Sequence, residues 1–188
     1  MRQYPAKATE DIDRTRPLLE CAASNGERYV VYISIVGVDR ADAPCYKTKH
    51  TVEQIVRGSD IPSVILRSTQ FHSFVAGLIQ KLGVDTLDEV LVPAGARLQT
   101  IEAEEVAQRL VELTKTRQTE YVDDVGGPAI LAIEDMVKDF LGARGRQATV
   151  RSVDPKGSPW VAWTGETHLC PKHRYGKTIT YCFTETVE

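Results

Sequence analysis

The sequence predicts an α/β domain built on a mainly parallel sheet flanked by helices. Two observations carry this expectation. Short apolar runs of strand length alternate with stretches of helical periodicity. The clearest runs, YVVYISIV at Tyr29 to Val36 and SVILRS at Ser63 to Ser68, are nearly continuous in apolar residues instead of alternating with polar ones. That is the pattern of a strand covered on both faces, as in a parallel sheet.

The elements follow in order. Leu18, Leu19, Ala22 and Ala23 place a helix before the first strand, with Pro17 suited to its first turn and Gly26 to its C-terminal cap. After the strand Tyr29 to Val36 comes the loop VGVDRADAP. A helix from about Tyr46 to Gly58 follows, with Val52, Ile55 and Val56 on its apolar face. Ser63 to Ser68 is the second strand. Phe71 to Leu82 is a helix with Phe74, Val75, Leu78 and Ile79 inward. Val90 to Ile101 holds strand-like pieces broken at Pro93 and Gly95, and Glu104 to Thr114 is a helix with Val106, Leu110 and Leu113 at helical spacing. Tyr121 to Val125 suits a short strand closed by Gly126-Gly127-Pro128. Ala132 to Leu141 suits a helix with Ile133, Met136, Val137 and Phe140 inward. Residues 1–150 thus form the domain. Residues 151–188, irregular and rich in Pro, Gly and Trp, form a C-terminal appendage of it.

Composition sets the outer bounds. A chain of 188 residues with 42% hydrophobic and 26% charged residues has the make-up of an ordinary globular domain. No apolar run approaches the roughly 20 residues of a membrane helix. The opening MRQYPAKATEDIDR is too charged for a secretory signal, so a soluble cytoplasmic protein is expected. A formal net charge of -3 draws the surface to neither nucleic acid nor anionic lipid. The cysteines Cys21, Cys45, Cys170 and Cys182 contain no C-x-x-C pair and are expected as reduced thiols. Cys170 and Cys182 lie near His168 and His173, but H-x-C-x-x-H with a distant Cys fits no common zinc pattern.

Phosphate-binding motifs are missing from the sequence. It holds no G-x-G-x-x-G, and no Gly-rich loop ending in G-K-[ST]. Gly126-Gly127 runs into proline, and Gly142 and Gly145 stand at the C-terminal end of a helix, opposite the end that faces an anion.

The stretch YVVYISIVGVDRADAPCYKTKHTVEQIVRGSDIPSVILRSTQFH, from Tyr29 to His72, closely resembles the atypical short-chain dehydrogenase/reductase family in its NmrA-like branch. There a Y-I-S-I-V-G-like strand end is followed by an aromatic–x–x–x–Lys element, and the next strand ends like L-R-A-T-Q-F-H. VPAGARLQTIEAEEVAQRLVEL, VGGPAILAIEDMV and LCPKHRYGKTITYCF resemble further stretches of the family in the same order. The resemblance spans the chain from about Asp11 onward. It implies an incomplete Rossmann-like fold whose N-terminal Gly-rich half, with the pyrophosphate turn, is lacking.

It also implies a site. Ser34 matches a strand-end serine that polarises a substrate carbonyl. Lys49 matches the lysine that bonds the nicotinamide ribose and lowers the pKa of a neighbouring tyrosine. The tyrosine expected four residues before this lysine is replaced by Cys45, and Tyr46 stands beside it. A proton relay of Ser34, Tyr46 and Lys49 is thus altered at one member. Thr69, Gln70 and Phe71 match a turn beside the nicotinamide, at the strand end where α/β folds bind ligands. His72 would line the same mouth, and Trp160 and Trp163 would cover a pocket or anchor packing. A strand-end hydroxyl, a solvated lysine and an ordinary loop remain the simpler readings of Ser34, Lys49 and the 69–71 turn.

The implied function is NAD(P)-dependent reduction of a small carbonyl or quinone-like compound, with NAD(P) weakly bound for want of the pyrophosphate turn. The alternatives are a non-catalytic dinucleotide-sensing regulator and a truncated product without function. Loss of the first strands would leave Tyr29 to Val36 with an open edge, through which a homodimer is expected.

Overall fold

The structure, a computed structural model, describes residues 5–26, 28–119, 122–157 and 159–179, with side chains from Glu10 onward. The element order is α1 (Pro5–Ser24), β1 (Val30–Ile35), α2 (Pro44–Arg57), β2 (Ser63–Ser68), α3 (His72–Lys81), β3 (Glu89–Pro93), β4 (Arg97–Leu98), α4 (Ala103–Thr116), β5 (Leu131–Ala132), α5 (Ile133–Ala143), β6 (Thr149–Val153) and a 3-10 turn, Ala162–Thr164. This is an α/β fold of parallel strands flanked by helices.

The first half is a β–α–β unit. β1 and β2 run parallel with Val30 opposite Ser63 and Ser34 opposite Arg67. α2 crosses between them. Pro44 pre-sets its first turn after extended Ala43, and Val52 and Val56 bury its apolar face. α1 packs on α2 through Leu19, with Ile12 and Ala22 beside it. Two expectations for α1 change here. Leu18 is exposed because Leu19 takes the inward position, and Pro17 lies inside the helix instead of in its first turn. Pro17 is on the solvent side, where a lost backbone bond is met by water.

In the second half β3 and β6 run parallel, and β4 and β5 pair antiparallel. α3 and α5 cover them around a core of Val75, Ile79, Val90, Val92, Met136, Val137, Phe140 and Trp163. Phe74, expected inward, is exposed, because Val75 and Ile79 define the buried stripe and Phe74 stands a quarter turn away from it. α4 begins with Glu102 accepting the amide of Ala103, carries Glu104 and Glu105 in its first turn, and ends at left-handed Arg117.

The sheet is not one continuous surface. Among the described residues it falls into three two-stranded pieces, with isolated bridges outside them such as Ser68 to Val125 and Phe71 to Ile101. The short strand expected at Tyr121 to Val125 is reduced to the Val125 bridge, and Tyr121 lies outside the described residues. The segment after 150, expected to be irregular, opens with β6, so the division drawn at 150 passes through a strand. TVRSV has little apolar character; β3 supplies its partner, and Arg151 pairs with Glu89 across the two strands at 2.9 Å. Trp163, on the same segment, is a core residue at 1% exposure.

Candidate functional site

The carboxyl ends of β1 and β2 lie side by side, the position where open α/β sheets hold ligands. Each ends in a buried hydroxyl. Ser34 is on β1, and Thr69 follows β2 with its amide bonded to the Val125 carbonyl. Ser34 Oγ and Thr69 Oγ1 have no hydrogen-bond partner among the described residues. An unpaired buried hydroxyl is costly and is therefore uncommon.

The other predicted residues separate into two groups. Tyr46 is buried, and its hydroxyl accepts the indole N–H of Trp163 at 3.0 Å and the amide of Gln70 at 3.4 Å. Burial pushes its pKa up to about 12. Tyr46 packs with Val38, Ala41 and Ala43. Lys49 turns toward α1 and β1. Its ammonium lies 3.5 Å from the Asp11 carboxylate and 5.5 Å from the centre of the Tyr32 ring. Burial opposes its charge, but Tyr32 and Asp11 outweigh burial and hold its pKa above the ordinary value. No hydrogen bond joins Tyr46 to Lys49 among the described residues, so the relay expected through these two is not assembled. The cause is the packing around the helix: Trp163 draws Tyr46 into the core, while Asp11 and Tyr32 hold the Lys49 ammonium toward α1 and β1.

Gln70 and Phe71 carry the turn after β2. The Gln70 carbonyl accepts the Ile101 amide, and Phe71 forms a bridge with Ile101 and precedes α3. His72 is buried, with Nδ1 2.8 Å from Thr100 Oγ1 and Nε2 3.3 Å from the Thr178 carbonyl. Burial lowers its pKa.

Sequence reasoning missed the strongest polar contact near the site. Glu53 of α2, fully buried, takes the Arg67 guanidinium of β2 through two bonds of 2.8 and 2.7 Å. Arg67 also reaches Asp39, in the loop after β1, at 3.0 Å. This clamp ties α2, β2 and that loop together around the strand ends. The signal was legible: Arg67 is the one charge in the strand SVILRS, with a glutamate on the preceding helix. Tyr32 was missed as well. It belongs to β1, and its buried hydroxyl faces Lys49: burial raises its pKa most, while the charge and hydrogen bond of Lys49 lower it.

The residues suit the nicotinamide end of a dinucleotide and not its pyrophosphate. Unpaired Ser34 and Thr69 hydroxyls can bond a carboxamide, a ribose or a carbonyl, whereas the Lys49 ammonium is taken by Asp11 and Tyr32. The glycine after β1 offers no cradle, since a Cβ on Gly37 would meet the Thr167 carbonyl oxygen at 2.2 Å. Gly127 is likewise closed by the Thr100 carbonyl oxygen, at 1.7 Å. Two cavities, of about 570 and 180 Å³, lie elsewhere; neither is lined by Ser34, Tyr46, Lys49 or Thr69. Among the described residues no three His, Cys, Asp or Glu side chains converge as a metal site would need, and no helix is long and apolar enough to cross a membrane. Cys182 lies outside those residues.

No protein-family profile and no curated protein matches the sequence. Solved structures match the fold. An NADPH-dependent quinone oxidoreductase from Escherichia coli, complexed with NADPH, is similar at TM-score 0.62 and 15% identity, over 74% of this chain and 50% of that one. A nucleoside-diphosphate-sugar epimerase from Staphylococcus aureus is similar at TM-score 0.63 and 14% identity, over 82% and 55%. A UDP-Glc/GlcNAc 4-epimerase from Campylobacter jejuni is similar at TM-score 0.65 and 12% identity, over 84% and 62%. The likeness is one of fold, that of a partial Rossmann-like domain, and the chain spans about half the length of the quinone oxidoreductase.

Proposed function

We propose that this chain carries the substrate side of an NAD(P)-dependent oxidoreductase that reduces a small carbonyl or quinone-like compound in the cytoplasm. The observation that supports it most is the pair of buried, unpartnered hydroxyls, Ser34 and Thr69, at the ends of adjacent parallel strands. Thr69, Gln70 and Phe71 form the wall on which the nicotinamide rests. Ser34 donates to the carbonyl oxygen, and Lys49 supplies positive charge beside it. A bound dinucleotide supplies hydride; the protein orients the carbonyl, stabilises charge on its oxygen and delivers a proton. NmrA-like ancestry is the family reading that goes with this site.

Cys45 in place of tyrosine, and Tyr46 engaged by Trp163, favour one rival: a dinucleotide sensor without turnover. Titration calorimetry and a quinone reduction assay separate the two. NADPH is expected to bind with a Kd near 1 mM, about -4 kcal/mol, because only its nicotinamide half finds partners. Menadione is expected to be reduced at millimolar NADPH. Binding without turnover supports the sensor, and no binding at all overturns both readings.

A further inference from the structure

The larger of the two cavities is an open groove of about 570 Å³ between the C-terminal end of α5 and the start of β6. That volume is in the range small organic ligands occupy. Its floor is apolar. Leu141 is buried in the β3–β6 core, and Ala148 and Val150 pack against the same core. Gly142 leaves the groove open: a Cβ added there would meet no heavy atom within 4 Å.

The polar groups of the groove centre on Arg146. This side chain is half-buried, and its Nη2 donates to the Leu87 carbonyl at 3.0 Å, which fixes the guanidinium in place. The buried Nε has no acceptor among the described residues. The neighbouring arginines have acidic partners, Asp85 for Arg144 and Glu89 for Arg151. Among the described residues Arg146 has none. A held guanidinium with donors to spare suits a carboxylate, whose two oxygens match its planar fork. Lys138, on the same rim, is occupied by Glu134 at 2.7 Å. Asp88 also lines the groove and disfavours a second negative charge. The end of α5 offers little opposition: the Leu141 carbonyl already accepts the Arg144 and Arg146 amides, and the Gly142 carbonyl accepts that of Gly145.

We propose that this groove binds an organic monoanion, a carboxylate on a flat apolar body. The carboxylate pairs with Arg146, and the body lies on Leu141, Ala148 and Val150 in the space beside Gly142. The site is separate from the strand ends of β1 and β2, so it goes beyond the oxidoreductase reading and does not rest on it.

The test is calorimetric titration of the full chain with 2-naphthoate, and with 2-naphthalenemethanol as its neutral counterpart. Naphthoate is expected to bind with a Kd of about 0.1 mM, and the alcohol about tenfold or more weaker. Arg146→Met is expected to weaken naphthoate binding about tenfold, and Arg146→Lys to recover part of the loss. Glu134→Gln frees the Lys138 ammonium and is expected to tighten binding about twofold. Gly142→Leu puts a side chain into the groove at a helical position where it meets nothing, so the fold is kept and binding is expected to be lost. Its circular dichroism and urea midpoint check that the fold is kept. Ser34→Ala is expected to leave naphthoate affinity unchanged. Equal binding of acid and alcohol, or no naphthoate binding, would overturn the site. So would wild-type affinity in Arg146→Met or Gly142→Leu, or a loss in Ser34→Ala, which would put the anion at the strand ends instead.

Discussion

The β3–β6 half and the β1–β2 half of this molecule are built from similar strands and helices but close differently. Around β3 and β6, α3, α5 and Trp163 bury a dense apolar core. Around β1 and β2 most strand residues on β1 are only half-buried, and the Ser34 and Thr69 hydroxyls, on β1 and just beyond β2, have no partner among the described residues. The contrast is one of packing: the β3–β6 half closes on a dense apolar core while β1 stays half-buried, and buried polar atoms without a partner among the described residues occur in both, at Ser34 and Thr69 in one and at Arg144, Arg146 and His168 in the other.

The sharpest way to break the contrast is Trp163→Ala. It empties a large core site and removes a donor from Tyr46, so a loss of about 3–5 kcal/mol is expected in urea denaturation. Trp160, half-buried and edge-on to Trp163 at 5.4 Å, is expected to cost less. A smaller loss at Trp163 than at Trp160 would show that the second half is not the closed one.

The clamp on the open half comes next. Glu53→Ala leaves the Arg67 guanidinium facing a buried space with Asp39 as its remaining ion-pair partner. A loss of about 3 kcal/mol is expected by the same measurement, with the double variant Glu53→Leu, Arg67→Leu recovering most of it. A double variant as unstable as the single would mean that the pair itself stabilises the fold.

Acid should act more mildly. Burial holds the pKa values of His72 and His168 below the ordinary 6.5. The unfolded chain therefore binds protons on these residues more readily than the folded one. Their contribution is fully present above pH 6.5 and is lost as pH falls through the folded-state values. Urea midpoints are expected to drop between about pH 7 and pH 5, and less so in His72→Gln.

Among the described residues β1 pairs with β2 alone, and its other edge offers a fourth handle. The amides of Val30 and Val36 bond to the Pro62 and Ser68 carbonyls of the β2 side, so by alternation the Val31 amide faces the free edge. Light scattering is expected to show dimers or larger species through this edge, and Val31→Pro to shift them toward monomer without breaking the β1–β2 ladder. A wild-type monomer would show the edge to be covered.

The smallest effects belong to the orphan hydroxyls. Ser34→Ala and Thr69→Val are expected to change stability by less than about 1 kcal/mol, toward greater stability, since each removes an unpaired buried polar atom. A large destabilisation would mean that these hydroxyls are bonded in solution.

Local pattern determined much of this protein. Continuous apolar runs placed β1 and β2, because a strand covered by helices has no polar side to show. Helical periodicity placed α2, α4 and α5, and the stretches that carry the family resemblance pointed to the strand ends where Ser34 and Thr69 lie. Direction was another matter. Whether Leu18 or Leu19 turned inward, whether Phe74 met the core, and whether TVRSV became a strand depended on which surface each met across the fold. The pairing of Lys49 depended on it most. Sequence set this lysine one turn beyond Cys45 and Tyr46 on the same helix, but Trp163, more than a hundred residues later, drew the Tyr46 hydroxyl away, and Asp11 with Tyr32 held the ammonium. A helix fixes the spacing of its side chains; the elements packed around it decide which partner each one reaches.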